Sequence, residues 1–189
     1  MKSIGVFVAL LFSSSAIVHA NESRPEYQNL SNIEQALNPL DFMANHDGIK
    51  HSINLNIQFA VNSARLLDSA TDQLKILGQA LNGKRLNNCQ IQLTGHTDAT
   101  GNAKLNLILS DARAKAVKEW LVTQAQVTAT QLSTSGSGET TLLAGLAESD
   151  AKHRRVEVSL VDVKACRESM ASTNSQTQSN SQEKVKIEW

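Results

Sequence analysis

Aromatic side chains are scarce in this 189-residue chain, which has four Phe, two Trp and one Tyr. Beyond the first twenty residues only Tyr27, Phe42, Phe59, Trp120 and Trp189 carry such a ring, too few for a groove that stacks sugars. An excess of charge is missing too, because 18 Lys and Arg face 18 Asp and Glu. Bulk electrostatics therefore draws the chain neither to nucleic acid nor to an anionic membrane surface. The one apolar run, Ile4 to Phe12, follows Lys2 and is broken by Ser13, Ser14 and Ser15. It falls short of the ~30 Å of a bilayer core. With Val18-His19-Ala20 behind it, residues 1–20 read as a secretory signal peptide cut after Ala20. The residue directly after that cut is Asn21, not cysteine, which argues against a lipid anchor, and no transmembrane span is expected in the mature chain. Cysteine occurs only as Cys89 and Cys166. In the oxidising compartment that export implies, such a pair is expected as one disulfide rather than a metal site or a nucleophile.

Signatures of catalysis are equally thin. His96 and Asp98 have the spacing of metal ligands, but no third ligand stands at a convincing distance. No Gly-x-Ser-x-Gly elbow is present. Neither enzymatic activity, nor a metal, nor a cofactor is expected.

What the chain does contain is periodicity. Ile53 to Phe59 alternates apolar and polar residues and predicts a strand with one buried face. Leu67, Ala70, Leu74, Leu77 and Leu81 then recur at helical spacing, opened near Asp68 or Ser69 and closed by Asn82-Gly83. Gln90 to His96 predicts a second strand. Ala103 to Gln124 predicts a long helix with Leu105, Leu109, Ala112, Ala116 and Trp120 on its inner face. Leu132 to Ser137 and Arg155 to Val161 predict two more strands, separated by a loop or short helix over 139–153. The order β-α-β-α-β-loop-β implies one sheet with helices on one face. Ahead of it, residues 21–50 read as a partly ordered N-terminal extension, with a short helix started at Ser31-Asn32-Ile33-Glu34 by capping-box spacing. Behind it, residues 168–189 are rich in Ser, Thr, Asn and Gln and read as a disordered tail. The folded domain is placed at 51–167. If the second and last strands are antiparallel neighbours, Cys89 and Cys166 meet at one end of the sheet.

Asp98, at the end of the second strand, and Arg113, on the following helix, have two readings. Asp98 can serve merely as a turn residue, and Arg113 as one more solvated base. Alternatively the two clamp a zwitterion, Asp98 taking an ammonium and Arg113 holding a carboxylate in its planar fork. Asn106 and Arg113, seven apart, share a helix face with Leu109 between them.

The motif Gly95-His96-Thr97-Asp98, then Gly101, then Asn106-Leu107-Ile108-Leu109-Ser110-Asp111-Ala112-Arg113-Ala114 resembles the OmpA-like peptidoglycan-binding domain. So do Ile57-Gln58-Phe59 with Asn62-Ser63 upstream, and Gly136-Ser137-Gly138-Glu139 and Arg154-Arg155-Val156-Glu157 downstream. The resemblance implies an α+β fold, a mixed β-α-β-α-β-β sheet with helices packed on one face. It implies non-catalytic binding of peptidoglycan through the diaminopimelate of the stem peptide, in the periplasm, on the cell wall or at the periphery of the outer membrane. By the family pattern, Asp98 and Arg113 grip the free amino-acid end of diaminopimelate. Asn106, Leu109, Thr100 and Arg154 line the same pocket, and backbone at Phe59 and Ala60 completes it. The pattern departs at Ala60, where an acid is usual, at His153 in place of Asn, and at Ser149-Asp150 in place of Gly-Arg. An alternative role keeps the fold but uses it as a docking module of an envelope complex, through residues 21–50 or the tail.

Overall fold

Ile91 and Leu93 alternate with Gln90, Gln92 and Thr94, so a period of two carries the apolar pair to one side of a strand. In the computed structural model, which describes residues 28–44, 50–164 and 166, that strand is β2 (Gln90–His96). It lies between β3 (Leu132–Gly138), parallel to it, and β4 (Val156–Asp162), antiparallel to it. β1 (Ser52–Leu55) closes the far edge antiparallel to β4, giving the order β1-β4-β2-β3. The parallel pairing of β2 with β3 requires a crossover, supplied by α4 (Ala103–Gln124). The fold is thus the expected α+β mixed sheet. The core lies between the sheet and the helices, where Leu55, Ile91, Leu93, Val156 and Val158 meet Leu74, Leu77, Leu81, Val117 and Leu121.

Several elements differ from the sequence reading. The first strand is shorter than expected. At Leu55 an Ile57 N–H donates to Leu55 O at 3.1 Å, an i→i+2 turn that takes the chain out of the sheet. Phe59 pairs instead with Leu66 across a local loop. The helix after it, α3 (Thr71–Asn82), follows a short 3-10 turn over Asp68–Ala70.

The buried face of α4 is the larger correction. Asn106, Ser110, Arg113, Ala114, Val117 and Leu121 face inward, whereas Leu105 is 64% exposed and Ile108 57%. The reason is a close approach. A Cβ at Gly95 would collide with the backbone of Ser110, and one at Gly136 would stand 2.5 Å from the Asp111 nitrogen. Where the helix comes this near the sheet it must present a small residue, Ser110, so the neighbouring Leu105, Leu107 and Ile108 are turned outward.

The expected extension contributes to the core. α1 (Leu30–Ala36) is capped by Asn29, whose Oδ1 accepts from Asn32 N at 2.9 Å, rather than by Ser31. Ile33 and Leu37 are fully buried, and the buried Gln73 side chain exchanges hydrogen bonds with the Gln28 backbone at 2.7 and 3.0 Å. A second short helix, α2, spans Pro39–Ala44. Cys89 and Cys166 are bonded, with Cα atoms 4.6 Å apart, where the antiparallel β2 and β4 bring their ends together. The expected signal peptide and polar tail lie outside the described residues. Among the described residues no helix is long and apolar enough to cross a membrane.

Candidate functional site

Where β2 ends, the backbone is held on both sides. His96 N donates to Arg155 O and Thr97 N to Gly138 O, each at 2.9 Å. The next residue, Asp98, closes an Asx-type turn: its Oδ1 accepts from the Thr100 amide at 3.2 Å and from the Thr100 hydroxyl. Gly101 follows at φ 96°, in the left-handed region. Asn102 then caps α4, accepting from Lys104 N and Leu105 N at 3.0 and 3.2 Å. One turn into the helix, Asn106 reaches back with Nδ2 to Thr100 O at 3.0 Å, to Asp98 O at 3.4 Å and to Glu139 Oε2 at 2.8 Å. The loop carrying Asp98 is therefore fastened to the helix carrying Arg113.

Arg113 is 7% exposed. Its Nε donates to Ser63 O at 3.1 Å, and its guanidinium carbon lies 5.0 Å from the centroid of the Phe59 ring, a cation–π seat. The early exit of the chain from the sheet after Leu55 is what brings Phe59 and Ser63 to this helix. Among the described residues the two terminal guanidinium nitrogens have no partner, which leaves the fork open to a guest.

All eight residues expected at the site, Asp98, Arg113, Asn106, Leu109, Thr100, Arg154, Phe59 and Ala60, line one open cleft of about 500 Å³. Arg154 does more than line it, because its Nη1 sits 2.7 Å from Asp98 Oδ2. Burial acts to raise the Asp98 pKa, but the bonds from Thr100 and Arg154 outweigh it and hold the carboxyl below its ordinary value. Burial lowers the pKa of Arg113, and repulsion from Arg154 adds to this against the pull of Asp98. Both groups are ionised at neutral pH.

Sequence reasoning missed three contributors. Ser63 orients Arg113 through a backbone oxygen, which has no residue-type signal. Glu139 holds Asn106 across 33 positions. Lys152 lines the cleft from a loop that departs from the family pattern. That loop is pinned by His153, fully buried, whose Nδ1 accepts from Leu143 N at 3.1 Å and whose Nε2 is 2.8 Å from Ala147 O. The accepting Nδ1 leaves the proton on Nε2. Arg155 ties the same loop to β1, donating to Asn54 Oδ1 at 2.9 Å and Thr141 O at 3.1 Å. His96 takes no part in the cleft. It is 2% exposed, with Nδ1 3.3 Å from Thr141 Oγ1 and Nε2 3.4 Å from Glu157 Oε2, the latter outside hydrogen-bond alignment. Burial, aided by Arg155, lowers its pKa to about 4.

The OmpA family profile matches residues 58–155, which includes the cleft's Asp98, Asn106, Arg113 and Arg154. The chain belongs to the OmpA family. Members of this family are non-catalytic. Among curated relatives, the probable lipoprotein YiaD of Escherichia coli K12 is 34% identical over 116 residues, 60% of this chain and 52% of that protein. The outer membrane protein Omp38 of Acinetobacter baumannii is 35% identical over 85 residues, 45% of this chain and 23% of that protein. The chain thus spans about half the length of the first of these and about a quarter of the second. The cell wall anchor of the type VI secretion system from Pseudomonas aeruginosa superposes with a TM-score of 0.52 at 26% identity, over 74% of this chain and 99% of that one. The OmpA-like domain of FopA1 from Francisella tularensis shares the fold, with a TM-score of 0.51 at 22% identity over 61% and 76% of the two chains. The first three of these are, by name, a probable lipoprotein, an outer membrane protein and a cell wall anchor.

Proposed function

We propose that this OmpA-family cleft binds peptidoglycan without covalent chemistry, gripping the diaminopimelate of the stem peptide and holding the protein on the cell wall in the periplasm. The observation that carries the reading is the state of Arg113. A buried guanidinium, seated on an aromatic ring and tied among the described residues by Nε alone, keeps a two-pronged donor at an open cleft, which is the geometry a carboxylate matches. Asp98 supplies the opposite charge for the ammonium of the same amino-acid end. Its carboxylate already carries Arg154 and Thr100, yet two oxygens offer about four acceptor positions. Arg154, with 47% of its side chain exposed, can also swing aside. The open cleft offers modest single-site affinity, and a polymer with many repeated ligands retains the protein by rebinding.

Titration calorimetry with a diaminopimelate tripeptide against its lysine counterpart tests this. Lysine lacks the distal carboxylate, so the first peptide is expected to bind and the second to bind at least tenfold more weakly. Equal affinities would refute the assignment of Arg113. A docking role through residues 21–50 has less free material than the sequence suggests, because Ile33 and Leu37 are buried within the core. The likeness to a secretion-system wall anchor supports wall attachment as the shared property.

A further inference from the structure

The charges lining the cleft exceed what one zwitterion requires. Arg113, Arg154 and Lys152 stand against Asp98 alone. Asp98 and Arg154 pair with each other at 2.7 Å, which leaves Arg113 and Lys152 as the two cations of the lining with no acidic partner among the described residues. A guest that offered only the amino-acid end of diaminopimelate would satisfy Arg113 and leave Lys152 without a counter-charge.

Lys152 differs from an ordinary surface lysine in the fixity of its backbone. It sits in a 3-10 turn, Ala151–His153, whose cap Asp150 accepts from Lys152 N through Oδ1 at 2.8 Å. The following residue is His153, locked at both ring nitrogens, and the next is Arg154, paired with Asp98. Among the described residues Lys152 Nζ forms no ion pair. The Asp150 carboxylate caps the turn's amide instead of pairing with it.

We infer that Lys152 holds a second carboxylate of the guest, the free α-carboxylate of the γ-linked glutamate that precedes diaminopimelate in the stem peptide. This assignment rests on the reading of the cleft given above. It makes the cleft a site for a peptide with two separated anions, and it makes amidation of the glutamate a modification that the protein senses. A lysine suits the outer position because a flexible point charge tolerates the approach of a mobile peptide carboxylate, whereas the rigid fork of Arg113 sets the register.

The test is calorimetric titration of the full chain and its Lys152→Gln variant with two tripeptides, L-alanyl-γ-D-glutamyl-diaminopimelate and the same peptide with the glutamate α-carboxylate amidated. The wild type is expected to bind the free acid roughly three- to tenfold more tightly than the amide. Lys152→Gln is expected to lose that same factor toward the acid and to bind both peptides alike. Equal binding of the two peptides by the wild type, with the lysine-for-diaminopimelate discrimination intact, would overturn this assignment alone. Undiminished discrimination by Lys152→Gln would also overturn it. Failure of the wild type to bind either peptide would overturn this assignment and the reading of the cleft together. Lys152 is exposed and the substitution leaves the turn's amide contacts untouched, so unchanged thermal melting is expected as the control.

Discussion

Replacing Arg113 by Lys keeps the formal charge and removes the geometry, which makes it the sharpest test of how this cleft recognises a carboxylate. Three features go with the guanidinium. One is the donation from Nε to Ser63 O at 3.1 Å. Another is the contact with the Phe59 ring at 5.0 Å, for which a part-buried cation–π pair is worth about 0.5–2 kcal/mol. The last is the pair of terminal donors that a carboxylate accepts in parallel. A charged hydrogen bond contributes about 1.5–3 kcal/mol, and a lysine ammonium recovers part of one but not the parallel second. The expected loss in binding is therefore about 1.5–3 kcal/mol, or roughly ten- to a hundredfold in Kd. Folding should also suffer, by up to about 1.5–3 kcal/mol, because the charged donation from Nε to Ser63 O is lost. Calorimetric titration with the diaminopimelate tripeptide reads the first quantity, and urea unfolding the second. Wild-type affinity in a properly folded Arg113→Lys protein would refute the fork.

Other consequences bear on stability. The folded-state pKa of His96, about 4, lies below its ordinary 6.5, so the unfolded chain takes up the proton first as pH falls. The stability contributed by the neutral ring is complete above about pH 6.5 and is lost progressively toward pH 4, by roughly 3 kcal/mol in all. A His96→Gln variant should show a flatter dependence of Tm on pH across that window, and an unchanged slope would show that His96 does not cause it. Reducing the Cys89–Cys166 bridge frees a 77-residue separation, a constraint worth about 4–5 kcal/mol by loop entropy and often less in practice. Unfolding of the Cys89→Ser/Cys166→Ser protein at the wild-type urea midpoint would remove that contribution from the account. Gly95→Ala sets a methyl against the Ser110 backbone. It should cost about 1–3 kcal/mol or more and loosen α4 from the sheet, whereas hydrogen exchange in α4 at the wild-type rate would place the close approach elsewhere.

Much of the site was legible because its residues sit in one local unit. Strand end, turn and following helix deliver Asp98, Thr100, Asn106, Leu109 and Arg113 within sixteen consecutive positions, and helical spacing alone puts the last three on related faces. The internal partner of Asp98 was not legible. Arg154 lies 56 positions away, and nothing in its neighbours announces that its guanidinium closes on Asp98 rather than on solvent. Lys152 was hidden for the same reason, since a loop residue declares its direction only when the loop is anchored, here by a buried histidine and by Arg155.

By itself the amino-acid sequence determined the strand and helix order, the motif around Asp98 and Arg113, and the placement of each cysteine beside a strand end. These depend on periods of 2 and 3.6 and on local turn chemistry, which act over a few residues at a time. Only the tertiary structure decided which side of α4 faces inward. Apolar periodicity favoured the face of Leu105, Leu109 and Trp120, but the bare backbones of Gly95 and Gly136 draw the helix so close at Ser110 that only a small side chain fits there. The same is true of residues 28–37, whose Ile33 and Leu37 complete a core assembled elsewhere in the chain. Packing at van der Waals distance joins segments far apart in sequence, and no window of neighbouring residues contains it.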